Sequence, residues 1–262
     1  MKIAILGSGN VASHLSKALI KAGNPVMQVW SRHHENAVNL ALEIGANSIP
    51  DIKDISESIE VVIIAVSDNA IENVASQIPV KENRLIIHTS GTTAIAILQK
   101  FGNQYGVIYP LQTFSKSADL DFSQVPLFIE GNTASSLDKI SNIASQLSAK
   151  VQPADSQTRA LLHVSAVFAC NFTNHFYTIA QQILQEKNLS FDLLRPLIQE
   201  TANKAMLNLP STVQTGPAKR NDELTMNKHI DLLSSHPQWQ VIYHLISQDI
   251  VKKYHPQQAE DK

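Results

Sequence analysis

The chain has 262 residues, 44% of them hydrophobic, with a formal net charge of -2 at pH 7. That length exceeds one average domain and points to two, and the apolar share suffices for a sizeable core. The near-neutral charge excludes a basic surface able to neutralise phosphates, so nucleic acid is not an expected partner. The single cysteine, Cys170, excludes an intrachain disulfide framework and fits a reducing, cytoplasmic setting. No apolar run approaches the roughly 18 residues of a membrane span.

The first predicted element is a buried strand over Ile3 to Leu6, which ends at Gly7, Ser8 and Gly9 before a helical pattern begins. In the run Gly7-Ser8-Gly9-Asn10-Val11-Ala12, one glycine permits a sharp turn and the next lets the backbone approach a pyrophosphate. The third position needs a small residue for close helix-to-strand packing, and Ala12 supplies it. The helix that follows directs free N–H groups and the positive end of its dipole at an anion in the turn. The stretch predicts a dinucleotide cradle; a purely structural glycine turn is the bland alternative.

Val11, Leu15, Ala18, Leu19 and Ala22 recur at helical spacing up to Gly23, and Val26 to Trp30 reads as the second strand. An NAD site places Asp or Glu at the end of that strand to accept from the ribose 2′-hydroxyl. Here Ser31 and Arg32 stand there instead. A hydroxyl and a guanidinium suit a 2′-phosphate, so NADP is favoured over NAD. A helix over Glu35 to Ile44 and a short strand near Asn47 to Ile49 follow.

The continuous apolar run Val61 to Val66 fits a central parallel strand buried on both faces, and Ser67-Asp68-Asn69 are expected to cap the next helix at the sheet rim. Leu85 to Ile87 makes a strand that runs into His88-Thr89-Ser90-Gly91 on the same rim. Further strands at Val107 to Tyr109, Leu127 to Ile129 and Val151, with a helix over about Ser135 to Leu147, complete the alternation of a doubly wound parallel sheet.

From Asp155 the character changes. Between Ala154 and Glu186 there is neither proline nor glycine, and apolar residues cover most of the circumference. About 30 residues of helix would span about 45 Å and would need partners on several sides. Phe191 to Leu209, Asp222 to Leu233 and Trp239 to Lys253 supply further helices. The expected fold is therefore α/β, with a Rossmann domain over residues 1–153 followed by an all-helical domain over 154–262. A homodimer is expected to cover part of the helical surface.

Taken together, the glycine cradle, Ser31-Arg32, His88-Thr89-Ser90-Gly91, Pro110-Leu111-Gln112-Thr113-Phe114, the His163 to Asn171 helix and Thr215 to Asp222 resemble bacterial proteins that join a Rossmann-like NADP domain to a helical "domain of unknown function 2520". The wider group is similar to pyrroline-carboxylate reductases, ketopantoate reductases and 6-phosphogluconate-type dehydrogenases. The resemblance implies an NAD(P)-dependent oxidoreductase, usually dimeric, and no particular substrate. Hydroxyacid dehydrogenases of that group carry a Lys and an Asn four residues apart on the first long helix, the Lys acting as proton donor. Here Val167 stands four residues after His163 and Asn171 four further on, so that chemistry does not carry over.

Hydride transfer to C=O or C=N needs a group that protonates or polarises the heteroatom. The candidates are His163 and Asn171, eight residues apart on one helix face, together with Ser90 and His88 at the rim and Arg220 as an anchor for a substrate carboxylate or phosphate. Against these stand bland readings: His88 as a packing residue, Asn171 as a helix-to-helix bond, Arg220 as a solvated charge, Asp222 as a helix cap and His229 as structural. The expected cofactor contacts are Gly7, Ser8, Gly9, Asn10, Val11, Ala12, Ser31, Arg32, Val66 and Ser67, and no metal is expected. The leading expectation is an NADP-dependent reductase or dehydrogenase of a small, anionic carbonyl or imine compound. A catalytically silent NADP sensor and a deazaflavin-linked NADP oxidoreductase are the alternatives.

Overall fold

The computed structural model describes residues 1–115 and 120–256. The chain divides into two compact units, 1–172 and 173–262. The first contains a single sheet with strands β1 (Ile3–Leu6), β2 (Val26–Trp30), β3 (Asn47–Ser48), β4 (Val61–Ile64), β5 (Leu85–His88), β6 (Gln104–Pro110), β7 (Leu127–Gly131) and β8 (Val151–Pro153). Their spatial order is β3-β2-β1-β4-β5-β6-β7-β8. Strands β1 and β4, and β5 up to its last residue His88, are apolar, and all three are buried throughout, because helices cover both faces of the parallel part.

One expectation needs correction: the sheet is mixed. Strand β7 runs antiparallel to β6, and β8 runs parallel to β7. Antiparallel neighbours need no crossover helix. The connection from Pro110 to Leu127 carries only the short 3₁₀ turn Phe122–Gln124 among its described residues. Strands β1 to β6 pair in parallel, so their carboxyl ends share one rim.

Helices α1 (Asn10–Lys21), α2 (His34–Ile44), α3 (Ile71–Ala75) and α4 (Ala134–Leu147) join the strands. Two large apolar clusters, and a smaller one on Val107, Tyr109 and Phe128, hold this layer together. One large cluster is built on Ile5, Leu15, Val29 and Ile63, and the other on Leu6, Ile52, Ile64 and Ile71. Alternate residues of β1 and β4 thus face opposite clusters, as the two-residue strand period requires.

The long apolar helix is present but not uniform. It runs as α5 (Ser156–Ala166), a π-helical segment Val167–Phe172, and α6 (Thr173–Gln185). Helix α5 groups with the sheet in the 1–172 unit, whereas the sequence places the domain division at 153. The 173–262 unit continues with α7 (Arg195–Leu207), α8 (Glu223–Leu232) and α9 (Pro237–Tyr254). Within it, an apolar cavity of about 360 Å³ is lined by Phe176, Ile183, Trp239, Tyr243 and Ile246, among others. No helix among the described residues is long and apolar enough to cross a membrane.

Candidate functional site

The rim where β1 and β4 meet is the switch point of the sheet, because the chain passes from β1 outward to β2 and β3 and then returns to β4 on the other side. Gly7 leaves β1 there with φ +129° and donates its N–H to the Trp30 carbonyl at 2.7 Å. A Cβ at Gly7 would lie 2.1 Å from the Ala65 carbonyl oxygen, so any side chain would push β1 and β4 apart. At Gly9 a Cβ would meet nothing within 4 Å, so the turn is open above its second glycine.

Helix α1 starts at that opening. Gly9 is its N-cap, no side chain caps it, and no acidic residue lies in its first turn. Its leading N–H groups are therefore available to an anion. Ala12 is fully buried against the sheet and does not line the opening, which is the packing part expected of the third motif position.

A cavity of about 1060 Å³ extends from this turn along the rim. Its walls include Gly7, Ser8, Gly9, Asn10 and Val11 from the cradle, Ser31 and Arg32 after β2, and Val66 and Ser67 after β4. The Ser8 hydroxyl donates to Ser31 Oγ at 2.8 Å, tying the cradle to the end of β2. Arg32 is exposed and makes no ion pair among the described residues. Asn10 Nδ2 donates to the Phe114 carbonyl at 2.7 Å, and His14 Nε2 lies 2.9 Å from the Ser115 carbonyl, so the chain beyond β6 is held over α1. Ser67 precedes the 3₁₀ turn Asp68–Ala70 without capping it, contrary to expectation, and its hydroxyl donates to Asn69 Oδ1 at 2.8 Å.

At the β6 side of the same cavity, Tyr109 and His163 meet. The tyrosine hydroxyl lies 2.9 Å from His163 Nδ1. Gly91 makes the pairing possible, since a Cβ there would stand 2.8 Å from the tyrosine ring and 2.9 Å from Nδ1. Burial, and secondarily the negative field of Asp68, raise the pKa of Tyr109 above its ordinary value, and Arg159 opposes them. The phenol therefore stays protonated at neutral pH. Tyr109 was not among the residues singled out from sequence, because the end of a strand carries no mark of what a distant helix will bring to it.

Of the remaining sequence candidates, Ser90 lines the cavity but is engaged within its own turn, and the others do not line it. The Ser90 hydroxyl donates to Thr93 Oγ1 at 2.9 Å and accepts from the Thr92 and Thr93 amides, so it closes a turn and has no donor left for substrate. His88 is fully buried behind the rim. Its Nδ1 accepts from the Ser90 amide, and Nε2 lacks a well-formed partner among the described residues. Burial first, and then the Arg159 charge, lower its pKa to about 3 against weaker favourable effects of Asp68 and the Ala94 backbone. His88 is thus a neutral packing residue at neutral pH, not a proton donor.

Asn171 is exposed in the π-helical segment and does not line the cavity; the wider backbone turn between it and His163 also breaks the simple α-helical spacing. Arg220 belongs to the 173–262 unit, 3.9 Å from the Asp222 carboxylate. Asp222 caps α8 by accepting from the Thr225 amide, and His229 Nδ1 lies 2.8 Å from the Tyr243 hydroxyl.

Sequence reasoning also missed Arg159, a fully buried side chain one helical turn before His163. Its guanidinium donates to the Ser90 carbonyl at 3.1 Å, to the Thr93 carbonyl at 2.6 Å and to Glu130 on β7. Glu130 also accepts from Ser156 Oγ at 2.9 Å. The clamp fixes the Ser90–Thr93 turn, and hence Gly91, against the Tyr109–His163 pair. Among the described residues no cluster of three or more His, Cys, Asp or Glu side chains could hold a metal.

A glycine cradle at a sheet switch point, an uncapped helix start and a rim cavity of this size define a dinucleotide-binding protein of the Rossmann type. Residues 2–91 match the family described as NADP oxidoreductase, coenzyme F420-dependent, and residues 125–250 match the domain of unknown function DUF2520. A Bacteroides fragilis protein, provisionally described as an NADP oxidoreductase, is 38% identical over 96% of this chain and 98% of its own, with a TM-score of 0.88. The chain therefore belongs to that family of NADP oxidoreductases, and it carries both domain matches.

At the level of fold, it is similar to a reductive aminase from Aspergillus terreus solved with NADPH and ethyl-5-oxohexanoate (15% identity, 96% and 94% of the two chains, TM-score 0.73). It is also similar to an imine reductase from Myxococcus stipitatus solved with NADP+ (14% identity, 97% and 96%, TM-score 0.71). No curated protein matches the chain.

Proposed function

We propose that the protein is an NADPH-dependent reductase of a small carbonyl or imine compound, acting in the rim cavity. The observation that carries this reading is the Tyr109–His163 pair, which faces the same cavity as the glycine cradle. When bound, NADPH supplies a hydride to the acceptor carbon. The chain's own residues have two tasks. The α1 N-terminus and the Gly7–Gly9 turn receive the pyrophosphate, while Ser31 and Arg32 receive the 2′-phosphate by hydrogen bonds that NADH cannot offer. Tyr109 holds a proton for the substrate heteroatom, and His163 Nδ1 orients that hydroxyl and restores its proton.

NADPH oxidation against pooled aldehydes, ketones, oxoacids and cyclic imines tests the reading. Turnover by the wild type should fall about 10²–10⁴-fold in Tyr109→Phe and in His163→Ala, with NADPH affinity by fluorescence titration unchanged. Turnover that survives both substitutions refutes the proton-donor assignment.

A second reading is hydride exchange between NADP and a deazaflavin. It is favoured by the family description of residues 2–91, and addition of coenzyme F420 as acceptor to the same assay tests it. A catalytically silent sensor would bind NADPH and turn over none of these acceptors. The protein is further proposed to act as a homodimer, because Phe168, Phe172, Leu197, Val241, Leu245 and Ile246 are exposed apolar residues on its helices, and to act in the cytoplasm, a setting that its single cysteine fits.

A further inference from the structure

The charges along the cavity are unevenly placed. Arg32 follows β2, on one side of the β1 cradle, and Asp68 follows β4, on the other side, toward β5 and β6. These are the only two formally charged Asp, Glu, Lys or Arg side chains among the described residues that line the cavity. If the phosphates of the coenzyme occupy the cradle and Arg32, the part of the cavity bounded by Thr89, Gly91, Tyr109, Gln112 and His163 is left with one carboxylate and no guanidinium or ammonium.

Asp68 reaches toward that part. Its Oδ2 accepts from Thr92 Oγ1, on the turn that Arg159 clamps against the Tyr109–His163 pair. Asp68 is exposed at the rim. The field of this carboxylate extends to the Tyr109 phenol.

We infer that Asp68 selects for a substrate that carries positive charge, an amine-bearing carbonyl compound or an imine that becomes an iminium on taking the Tyr109 proton, over a carboxylate-bearing one. The inference rests on the proposed reductase reading and narrows its substrate class, replacing the anionic compound expected from sequence. Protonation puts the positive charge on the acceptor C=N itself, where a carboxylate lining the same cavity lowers its energy. An oxoacid would bring its carboxylate against Asp68, while the nearby Arg159 guanidinium is buried behind the Ser90–Thr93 turn and its charge is already paired with Glu130. The attraction strengthens as ligand displaces water from the rim, because the effective dielectric falls.

The test uses two cyclic probes of similar size and opposite charge, pyrrolidinium and cyclopentanecarboxylate, titrated calorimetrically into protein saturated with NADPH, whose dihydronicotinamide ring is uncharged. Pyrrolidinium should bind at least about fivefold more tightly, the scale of a partly exposed charge pair. Asp68→Asn keeps an acceptor for Thr92 and should abolish the preference while NADPH affinity stays within about twofold. Equal or tighter binding of the carboxylate, binding of neither probe, or a preference that survives Asp68→Asn overturns the inference. The same titrations on coenzyme-free protein should show the same order of preference. Failure of NADPH to bind would therefore count against the coenzyme reading and would be distinguishable from failure of the charge selection.

Discussion

The two units bury their apolar residues in different ways. In residues 1–172 the strands and the helices over them close two large apolar clusters, and Ile3, Leu6, Leu15, Ile63 and Leu85 are all nearly or fully inaccessible. In residues 173–262, Ala218 is the only buried hydrophobic residue among those described, while Leu197, Met206, Leu207, Leu232 and Leu245 stand exposed. A sheet presents two broad faces that short helices can cover from nearby in sequence. An apolar helix has its residues spread around a cylinder, and three more helices of similar character leave some of every circumference without cover. The sheet and its covering helices in the first unit therefore complete their own core, whereas the second unit, like Leu161, Phe168 and Phe172 at the end of the first, has the composition of an interface.

The largest expected effect lies in the unit with the closed core. Arg159→Met leaves Glu130 without its cation and frees two carbonyls of the Ser90–Thr93 turn. It should cost about 3–5 kcal/mol in urea denaturation, and a second substitution, Glu130→Gln, should recover part of that loss. A cost below about 1 kcal/mol would mean that the clamp is not part of the closed core.

A second effect follows from His88. In the unfolded chain its ring is protonated near 6.5, whereas in the folded protein the value is about 3. Between these limits the unfolded state holds more protons, so this group leaves stability unchanged above pH 6.5 and reduces it as pH falls toward 3. The loss should reach up to about 3 kcal/mol at pH 4. His88→Asn, whose Oδ1 can still accept from the Ser90 amide, should flatten that part of a melting-temperature profile.

At the rim, Arg32→Asp should weaken NADPH binding by about 1.5–3 kcal/mol and leave NADH binding nearly as it was, read by fluorescence titration. The smallest effect on unfolding is expected in the helical unit. Leu245→Glu should change the unfolding free energy of dilute protein by no more than about 0.5 kcal/mol while shifting the proposed dimer toward monomer in analytical ultracentrifugation. If Leu245→Glu destabilises the dilute monomer strongly, the exposed residues belong to a core, and the contrast between the units fails.

Much of the first unit was legible because its signals are local. The apolar runs at Ile3 to Leu6 and Val61 to Ile64, and the turn Gly7-Ser8-Gly9, each carry their meaning within a few residues, since strand burial and glycine conformation are decided there. Antiparallel β7 escaped because strand direction depends on where the chain has travelled, not on strand composition. Among the candidate site residues, His163 was legible as a polar side chain in an apolar helix. Ser90, in contrast, looked like a free hydroxyl until its neighbours Thr92 and Thr93 were seen to consume it.

The sequence by itself determined the dinucleotide cradle, the change from alternating strands and helices to helices alone, and the cation after β2. Each of these is set by backbone freedom, hydrophobic period or a single charge. Only the tertiary structure decided that Tyr109 and His163, 54 residues apart, form one pair. It also decided that Arg159 is buried, that His88 is withdrawn from the cavity, and that Asp68 stands on the side opposite Arg32. Hydrogen bonds and electrostatic fields act through distances in space, and those distances exist only once the sheet has set its strand order.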